Sequence, residues 1–121
     1  MATSDETDSA LPQINGFHAH VYFDADTLPQ ARALCERAAA LFPLQMGRVH
    51  ERPVGPHPDW SCQLAFEMAN AGEVIAWLAL NRDGLVVFVH PDTGQPLQDH
   101  RDHGIWMGAV RPLDLSVFGA V

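Results

Sequence analysis

The sequence predicts an α+β domain in which two β-α-β units share one sheet. Apolar residues alternate with a period of two in segments 17–23 and 60–68, and each of these segments is followed by one with helical periodicity. Alternation is typical of a strand with one buried face, whereas a period near 3.6 residues is typical of an amphipathic helix. The resulting order of strand, helix, strand, strand, helix, strand indicates the ferredoxin-like split βαβ fold.

The first unit comprises a strand, a helix and a second strand. In segment 17–23 the polar residues face one side and the apolar residues face the other. Thr27 and Gln30 form a capping-box pattern, so the helix should begin there, and its apolar stripe runs to Phe42. Segment 44–52 is then predicted to be the second strand.

The second unit follows a rigid loop, 53–58, that contains three prolines and a glycine. Asn70 is predicted to cap the second helix, which should stop before Gly84. The apolar run 85–89 is typical of a buried strand, and residues 91–94 should turn the chain. The sequence leaves open whether residues 105–110 form a further short strand.

The expected architecture is an antiparallel four-stranded sheet with two helices on one face. The fourth strand should run antiparallel beside the first, and right-handed crossovers are expected to make the first and third strands parallel neighbours. The other face of the sheet, which carries His18, His20 and Tyr22, is expected to remain open for a ligand or a partner subunit.

Composition and length restrict the classes of function. The 121 residues fit a single domain, 14–121, after a disordered tail, 1–13. The net charge is −8 and the chain contains no lysine, which argues against nucleic-acid binding. No signal segment is visible, and Cys35 and Cys62 lie in apolar patterns. We therefore expect buried, reduced thiols rather than a disulfide, and a cytoplasmic protein.

Four histidines are predicted to converge at one corner of the sheet. His18 and His20 lie near the start of the first strand, His57 lies in the loop before the third strand, and His90 ends the fourth strand. Each has an ordinary explanation as a surface or loop residue, but three independent connections would deliver imidazoles to the same place. Neutral imidazole is the commonest metal ligand, so a metal or catalytic site is predicted there.

A carboxylate stands beside a histidine at Asp99-His100, in a polar segment after the fourth strand. This arrangement is common in proton relays and around metal ligands, so His100 is a candidate acid or base. His50 and His103 carry no such argument and are expected to lie at the surface.

Several sequence blocks run in order from about residue 14 to 116. They are residues 17–24 (FHAHVYFD), 52–58 (RPVGPHP), 89–94 (VHPDTG), 99–100 (DH), 106–108 (WMG) and 113–115 (LDL). The proline-flanked histidine loop and the second His-Pro block are specific. Together these blocks resemble the DOPA 4,5-dioxygenase family.

This resemblance implies a ferredoxin-like domain that cleaves a catechol ring in the extradiol manner with non-haem Fe(II) and O₂. The family's named substrate is L-DOPA, which is opened to a seco-DOPA aldehyde. By matching motifs, His20, His57 and His90 correspond to recurrent histidines of the family, and His100 corresponds to another. Zinc could occupy the same ligands in a purified sample.

The resemblance and the residues together give a set of expected roles. Three histidines on one side of a metal would leave its other positions free for catechol and O₂. The expected metal ligands are His20, His57 and His90, the expected proton-transfer residues are His18 and His100, and the expected substrate contacts are Tyr22, Trp60 and Arg52.

A rival from another class remains open. Ferredoxin-like domains often pair their open sheet faces around a cavity, and a fold alone does not specify chemistry. The chain could therefore be a metal-free small-molecule binding protein, and stoichiometric metal would distinguish the two. In either case a homodimer is expected, through the open sheet face or the edge beside it.

Overall fold

The computed structural model describes residues 13–119, which form an α+β fold with a five-stranded antiparallel sheet and three α-helices. Residues 1–12 of the expected tail lie outside the described residues. The strand order is β2-β3-β1-β4-β5. In chain order the elements are β1 (Gly16–Phe23), α1 (Leu28–Leu41), β2 (Leu44–Val49), β3 (Trp60–Phe66), α2 (Met68–Asn81), β4 (Val87–Asp92), α3 (Pro96–Arg101), β5 (Ile105–Met107) and a 3₁₀ turn (Leu115–Phe118).

The strand directions correct one expectation. β1 runs antiparallel to β3, with Phe17 opposite Phe66 and Phe23 opposite Trp60, whereas these strands were expected to be parallel. β1 also runs antiparallel to β4 on its other side. Each crossover helix joins strands that are two positions apart, so the strand between them can run in the opposite direction.

The sheet has five strands rather than the expected four. Residues Ile105–Met107 pair with β4 as a short edge strand, and the Asp99-His100 segment forms the unpredicted helix α3. The predicted turn at 91–94 was also placed too early, because Pro91 and Asp92 continue β4. Proline is tolerated here because β5 pairs only with Val87–Val89, so Pro91 lies on a stretch of β4 whose β5 side is an edge.

Both long helices begin differently from their sequence signatures. Thr27 is the N-cap of α1, but its hydroxyl accepts from the Asp24 N–H rather than capping the helix. Gln30, the expected second half of the capping box, instead donates to the Asp83 carbonyl at 2.6 Å. α2 begins at Met68 with Glu67 at its N-cap, two residues before the predicted start at Asn70.

The hydrophobic core lies between the sheet and helices α1 and α2. Val21 of β1, Leu64 of β3 and Val87 of β4 are fully buried on this face, and Leu78 of α2 packs against them. Ala31, Leu34, Cys35 and Ala38 form the buried stripe of α1. The alternating pattern of the sequence therefore reports the core face of the sheet correctly.

Two further findings concern the cysteines and the helices. Cys35 and Cys62 are both buried free thiols, which confirms the prediction. Within residues 13–119, none of the helices combines the length and apolar character needed to cross a bilayer.

Candidate metal centre

The first part of the site is a row of side chains on the sheet face opposite α1 and α2. His18, His20 and Tyr22 alternate along β1 with core residues, so they share this face. The register places His90 directly opposite His18 and Phe88 opposite His20. Because opposed residues of an antiparallel pair project to the same side, β4 adds its own histidine to the row.

His57 packs against this row from the loop that precedes β3. The loop that carries it enters β3 beside the end of β1, because Phe23 pairs with Trp60. The loop nevertheless folds back over the sheet, so that the His57 ring centroid lies 4.0 Å from that of His20. The histidines thus meet over the middle of the sheet face and not at the predicted corner. That prediction depended on a third strand parallel to the first.

His100 comes from α3, which packs on the same side of the sheet. Its ring lies 3.9 Å from the His90 ring and 6.2 Å from the His57 ring, measured between centroids. The relay interpretation expected a bond between Asp99 and the His100 ring, but the buried carboxylate of Asp99 makes no hydrogen bond to that ring. It accepts instead from the backbone N–H and the hydroxyl of Thr93. Asp99 therefore anchors the helix that holds His100 against the cluster.

The five histidines offer two overlapping sets of metal-ligating nitrogens. One set is His18, His20 and His90, and in it the ligand atoms lie within 4.8 Å of one another. The same limit holds for the set of His20, His57 and His100. The triad expected from the sequence, His20, His57 and His90, is divided between the two sets, and His20 belongs to both.

Backbone carbonyls determine the tautomers of two rings. His90 Nδ1 lies 2.9 Å from the Pro91 carbonyl oxygen, and His100 Nδ1 lies 2.7 Å from that of Pro96. A carbonyl only accepts, so each Nδ1 carries the proton and each Nε2 presents a lone pair. This is the arrangement in which protein histidines usually bind metal ions.

Burial keeps the whole cluster neutral. It lowers the pKa of His57 to about 4 and that of His90 to about 4, and in both cases repulsion from His100 adds to the effect. The His20 pKa is held well below its usual range by burial and then by its histidine neighbours. The His18 and His100 pKa values are also lowered, chiefly by burial. Uncharged imidazoles are the form that binds a metal.

A cavity of about 290 Å³ lies against the cluster. The loop and the C-terminal segment close it together, because the Asp114 N–H donates to the Pro56 carbonyl and the Phe118 ring packs 4.7 Å from the His100 ring. Its lining residues are His18, His20, His50, Val54, Gly55, Pro56, His57, Ser61, Gln63, His100 and Phe118.

Comparison with known proteins places this chain in a family. The model of the Dopa 4,5-dioxygenase family matches residues 17–117. The chain belongs to the Dopa 4,5-dioxygenase family. This confirms the resemblance on which the sequence interpretation rested.

Two curated relatives and one solved structure are similar to this family member. An uncharacterized 21.2 kDa protein of Botryotinia fuckeliana is 40% identical over 113 residues, which cover 84% of this chain and 62% of that protein. The DOPA 4,5-dioxygenase of Amanita muscaria is 30% identical over an alignment of 128 positions, covering 96% of this chain and 56% of that protein. The chain thus spans roughly three fifths of the length of these relatives.

The solved structure is that of a candidate dioxygenase from Nostoc punctiforme. It superposes with a TM-score of 0.85 at 43% identity, covering 87% of this chain and 91% of that chain. The names of the family, the Amanita protein and the Nostoc protein all point to dioxygenase chemistry.

Two residues expected to contact a substrate of this family member lie elsewhere. Trp60 packs on the helix-covered face, edge-on to Phe23, because it has the register parity of the core residues. Arg52 is exposed in the loop and does not line the cavity. Tyr22 is buried behind His57, with its hydroxyl 2.7 Å from His57 Nδ1.

Three aromatic residues were missed by the sequence interpretation of this site. Phe88 is fully buried among the histidine rings and stacks on Trp106 of β5 at 4.2 Å between centroids. The period of two in β4 could have placed Phe88 on the face of His90. Phe118 lies in the 3₁₀ turn, where no periodic pattern indicates a position.

Proposed function

We propose that this chain is a metal-dependent dioxygenase that cleaves the ring of a catechol such as L-DOPA in the extradiol manner, with non-haem Fe(II) and O₂. The observation that carries the proposal is the cluster of five histidines around His20 in a member of the Dopa 4,5-dioxygenase family. Zn(II) would be held by the same nitrogens in purified protein.

The donor set fits a divalent transition metal. The set of His18, His20 and His90 is favoured because all three side chains project from neighbouring strands of one rigid sheet. His20 Nε2 and His90 Nε2 lie 3.1 Å apart, a separation compatible with two ligands of one ion. When bound, Fe(II) would supply the Lewis acid and the redox centre that ring cleavage by O₂ requires.

His57 and His100 would then serve the substrate rather than the metal. Both line the cavity, and both are uncharged near neutral pH because burial lowers each pKa. A neutral imidazole can accept a proton from a catechol hydroxyl and return it later. This assignment exchanges the roles that the sequence gave to His18 and His57.

The cavity suits one small aromatic ring. Its volume of about 290 Å³ is at the lower end of the range for small-molecule sites. Val54 and Phe118 provide apolar contacts, and Ser61 and Gln63 provide polar groups at the base. With Trp60 on the other face, Phe118 becomes the proposed ring contact.

We assign the order β2-β3-β1-β4 to the ferredoxin-like arrangement, with β5 added at the edge, and place the protein in the cytoplasm.

We retain the homodimer as a proposal but place its interface on a different surface. Tyr22 is only 3% exposed, so the histidine face is not the open surface that was expected. The short edge strand β5, with Ile105 exposed, is the better candidate interface. A monomer by light scattering at micromolar concentration would contradict it.

The central test is anaerobic reconstitution with Fe(II), followed by a panel of catechols assayed for O₂ uptake and a yellow ring-opened product. The native chain should bind about one metal ion and consume O₂ with at least one catechol. His20→Gln should lose both properties because His20 belongs to both ligand sets. His103→Gln is the matched control, since His103 is exposed.

The rival function predicts a different result. If the folded chain binds no Fe(II) or Zn(II) but does bind a catechol, it is a metal-free binding protein. Metal binding without O₂ uptake from any catechol would retain the metal centre and reject the ring-cleavage reaction.

A further inference from the structure

Tyr22 is placed to act on the site through His57. Its side chain is only 3% exposed, and its hydroxyl lies 2.7 Å from His57 Nδ1. It projects from β1 two residues beyond His20, on the same face, beneath the loop that carries His57. His57 lines the cavity but Tyr22 does not, so a substrate in the cavity would meet the imidazole and not the phenol.

The partner of His57 differs in kind from the partners of the two other anchored rings. His90 and His100 each turn Nδ1 toward a backbone carbonyl, which only accepts a hydrogen bond. Their tautomers are therefore fixed, with a lone pair on Nε2. A tyrosine hydroxyl both donates and accepts, so it can pair with either tautomer of His57.

The chemistry of the phenol keeps that choice open. A tyrosine hydroxyl has an ordinary pKa of about 10, well above neutral pH. The hydroxyl therefore keeps its proton near neutral pH. A neutral phenol retains both a donor and an acceptor, whereas a phenolate would only accept.

We propose that Tyr22 is a positioning residue for His57: its hydroxyl keeps Nδ1 turned away from the cavity and lets Nε2 present either an N–H or a lone pair to a bound molecule. His57 is then the ring in the cluster that can adapt its tautomer to the substrate, while His90 and His100 remain fixed. This inference deepens the proposed function and rests on it only for the catalytic consequence.

The structural test uses the metal-free full chain labelled with ¹⁵N-histidine. In Tyr22→Phe, the ring-nitrogen resonances of His57, assigned with His57→Gln, should shift because the hydrogen bond at Nδ1 is lost. The resonances of His90 and His100 serve as internal controls, since their carbonyl partners remain. Unchanged His57 resonances in a folded Tyr22→Phe protein would overturn the proposal.

A second measurement does not depend on whether the Tyr22→Phe protein folds. Tyr22 is the single tyrosine of the chain, so biosynthetic 3-fluorotyrosine labels this position alone. Its ¹⁹F resonance should move in His57→Gln and stay in place in His103→Gln, where the substituted residue is exposed. A ¹⁹F resonance that stays in place in His57→Gln would also overturn the proposal.

The catalytic consequence has its own readout. If catechol cleavage is found, Tyr22→Phe should lower kcat roughly ten-fold, less than the roughly 10²- to 10⁴-fold effect typical of removing a general acid or base itself, because His57 remains. KM should change little, because Tyr22 does not contact the cavity. A raised KM at unchanged kcat would contradict a positioning role. The expected NMR shifts in a chain that cleaves no catechol would reject the proposed reaction but retain the Tyr22–His57 relationship.

Discussion

The Nε2 atoms of His20 and His90 lie 3.1 Å apart, although His90 is paired in register with His18 and not with His20. The two rings meet diagonally across β1 and β4, nearly parallel, with an interplanar angle of 17°. The Pro91 carbonyl holds the proton of His90 on Nδ1, so His90 Nε2 is a lone pair aimed at His20. A metal ion can replace the proton between these nitrogens.

His90→Gln should therefore abolish stoichiometric metal binding. Loss of a ligand should exceed the roughly 10- to 100-fold loss of affinity that is typical when a supporting residue around a metal site is removed. His57→Gln should retain the metal and lose turnover, because His57 lies outside the favoured set. Co(II) titration followed by absorbance provides the measurement. If His57→Gln loses the metal while His18→Gln keeps it, the ion occupies the set of His20, His57 and His100 instead.

The histidine cluster should make the metal-free protein less stable in mild acid. The folded pKa values of His57 and His90, both about 4, lie below the unfolded value near 6.5. At a pH between these folded and unfolded pKa values, the unfolded chain binds protons that the folded chain does not. The free energy of unfolding is therefore highest above pH 6.5 and falls as the pH drops toward 4. After allowance for solvent screening, we expect a loss on the order of 1 kcal/mol per pH unit.

Urea unfolding at pH 7.5, 6.0 and 5.0 measures this slope. The double variant His57→Gln/His90→Gln should show a shallower dependence, because two of the responsible groups are gone. An equal slope in the double variant would show that other residues cause the acid sensitivity.

Asp99→Ala should destabilise the fold and displace His100. The Asp99 carboxylate is 2% exposed and accepts from the N–H and the hydroxyl of Thr93, so its removal leaves these donors without that partner. We expect a loss of about 1–3 kcal/mol in the free energy of unfolding. Metal binding should persist, since His18, His20 and His90 are on strands. Asp102→Ala, at an exposed ion pair with Arg101, should change stability little.

Gly104→Ala should strain the aromatic packing behind the histidines. A Cβ at Gly104 would collide with the ring of Phe88, which is fully buried and stacked on Trp106. Overpacking of this kind typically costs about 1–3 kcal/mol. Gly72→Ala is a control with the opposite sign, because Gly72 lies in α2 with open space around it, and alanine should stabilise the helix by about 1 kcal/mol. Equal effects of the two substitutions in urea unfolding would reject the steric argument.

The sequence by itself determined the core face of the sheet and most of the site's residue types. The alternation in 17–23 separates His18, His20 and Tyr22 from the core, because the period of two is a local property of an extended chain. The motif blocks led to the correct family, which the match over residues 17–117 confirms. His57, which lies between two prolines, and His90, which precedes a proline, were likewise visible as ligand candidates.

The tertiary structure alone decided which histidines are neighbours. Strand direction depends on which strand fills the gap between the two strands that a crossover joins, and no local pattern encodes that choice. Placing β3 antiparallel to β1 moved the meeting point of the rings from the predicted corner to the middle of the sheet face. The His20–His90 contact is diagonal, so it depends on register and side-chain rotamers together. Such relationships exist only once the strands are paired, because they join residues that are 70 positions apart along the chain.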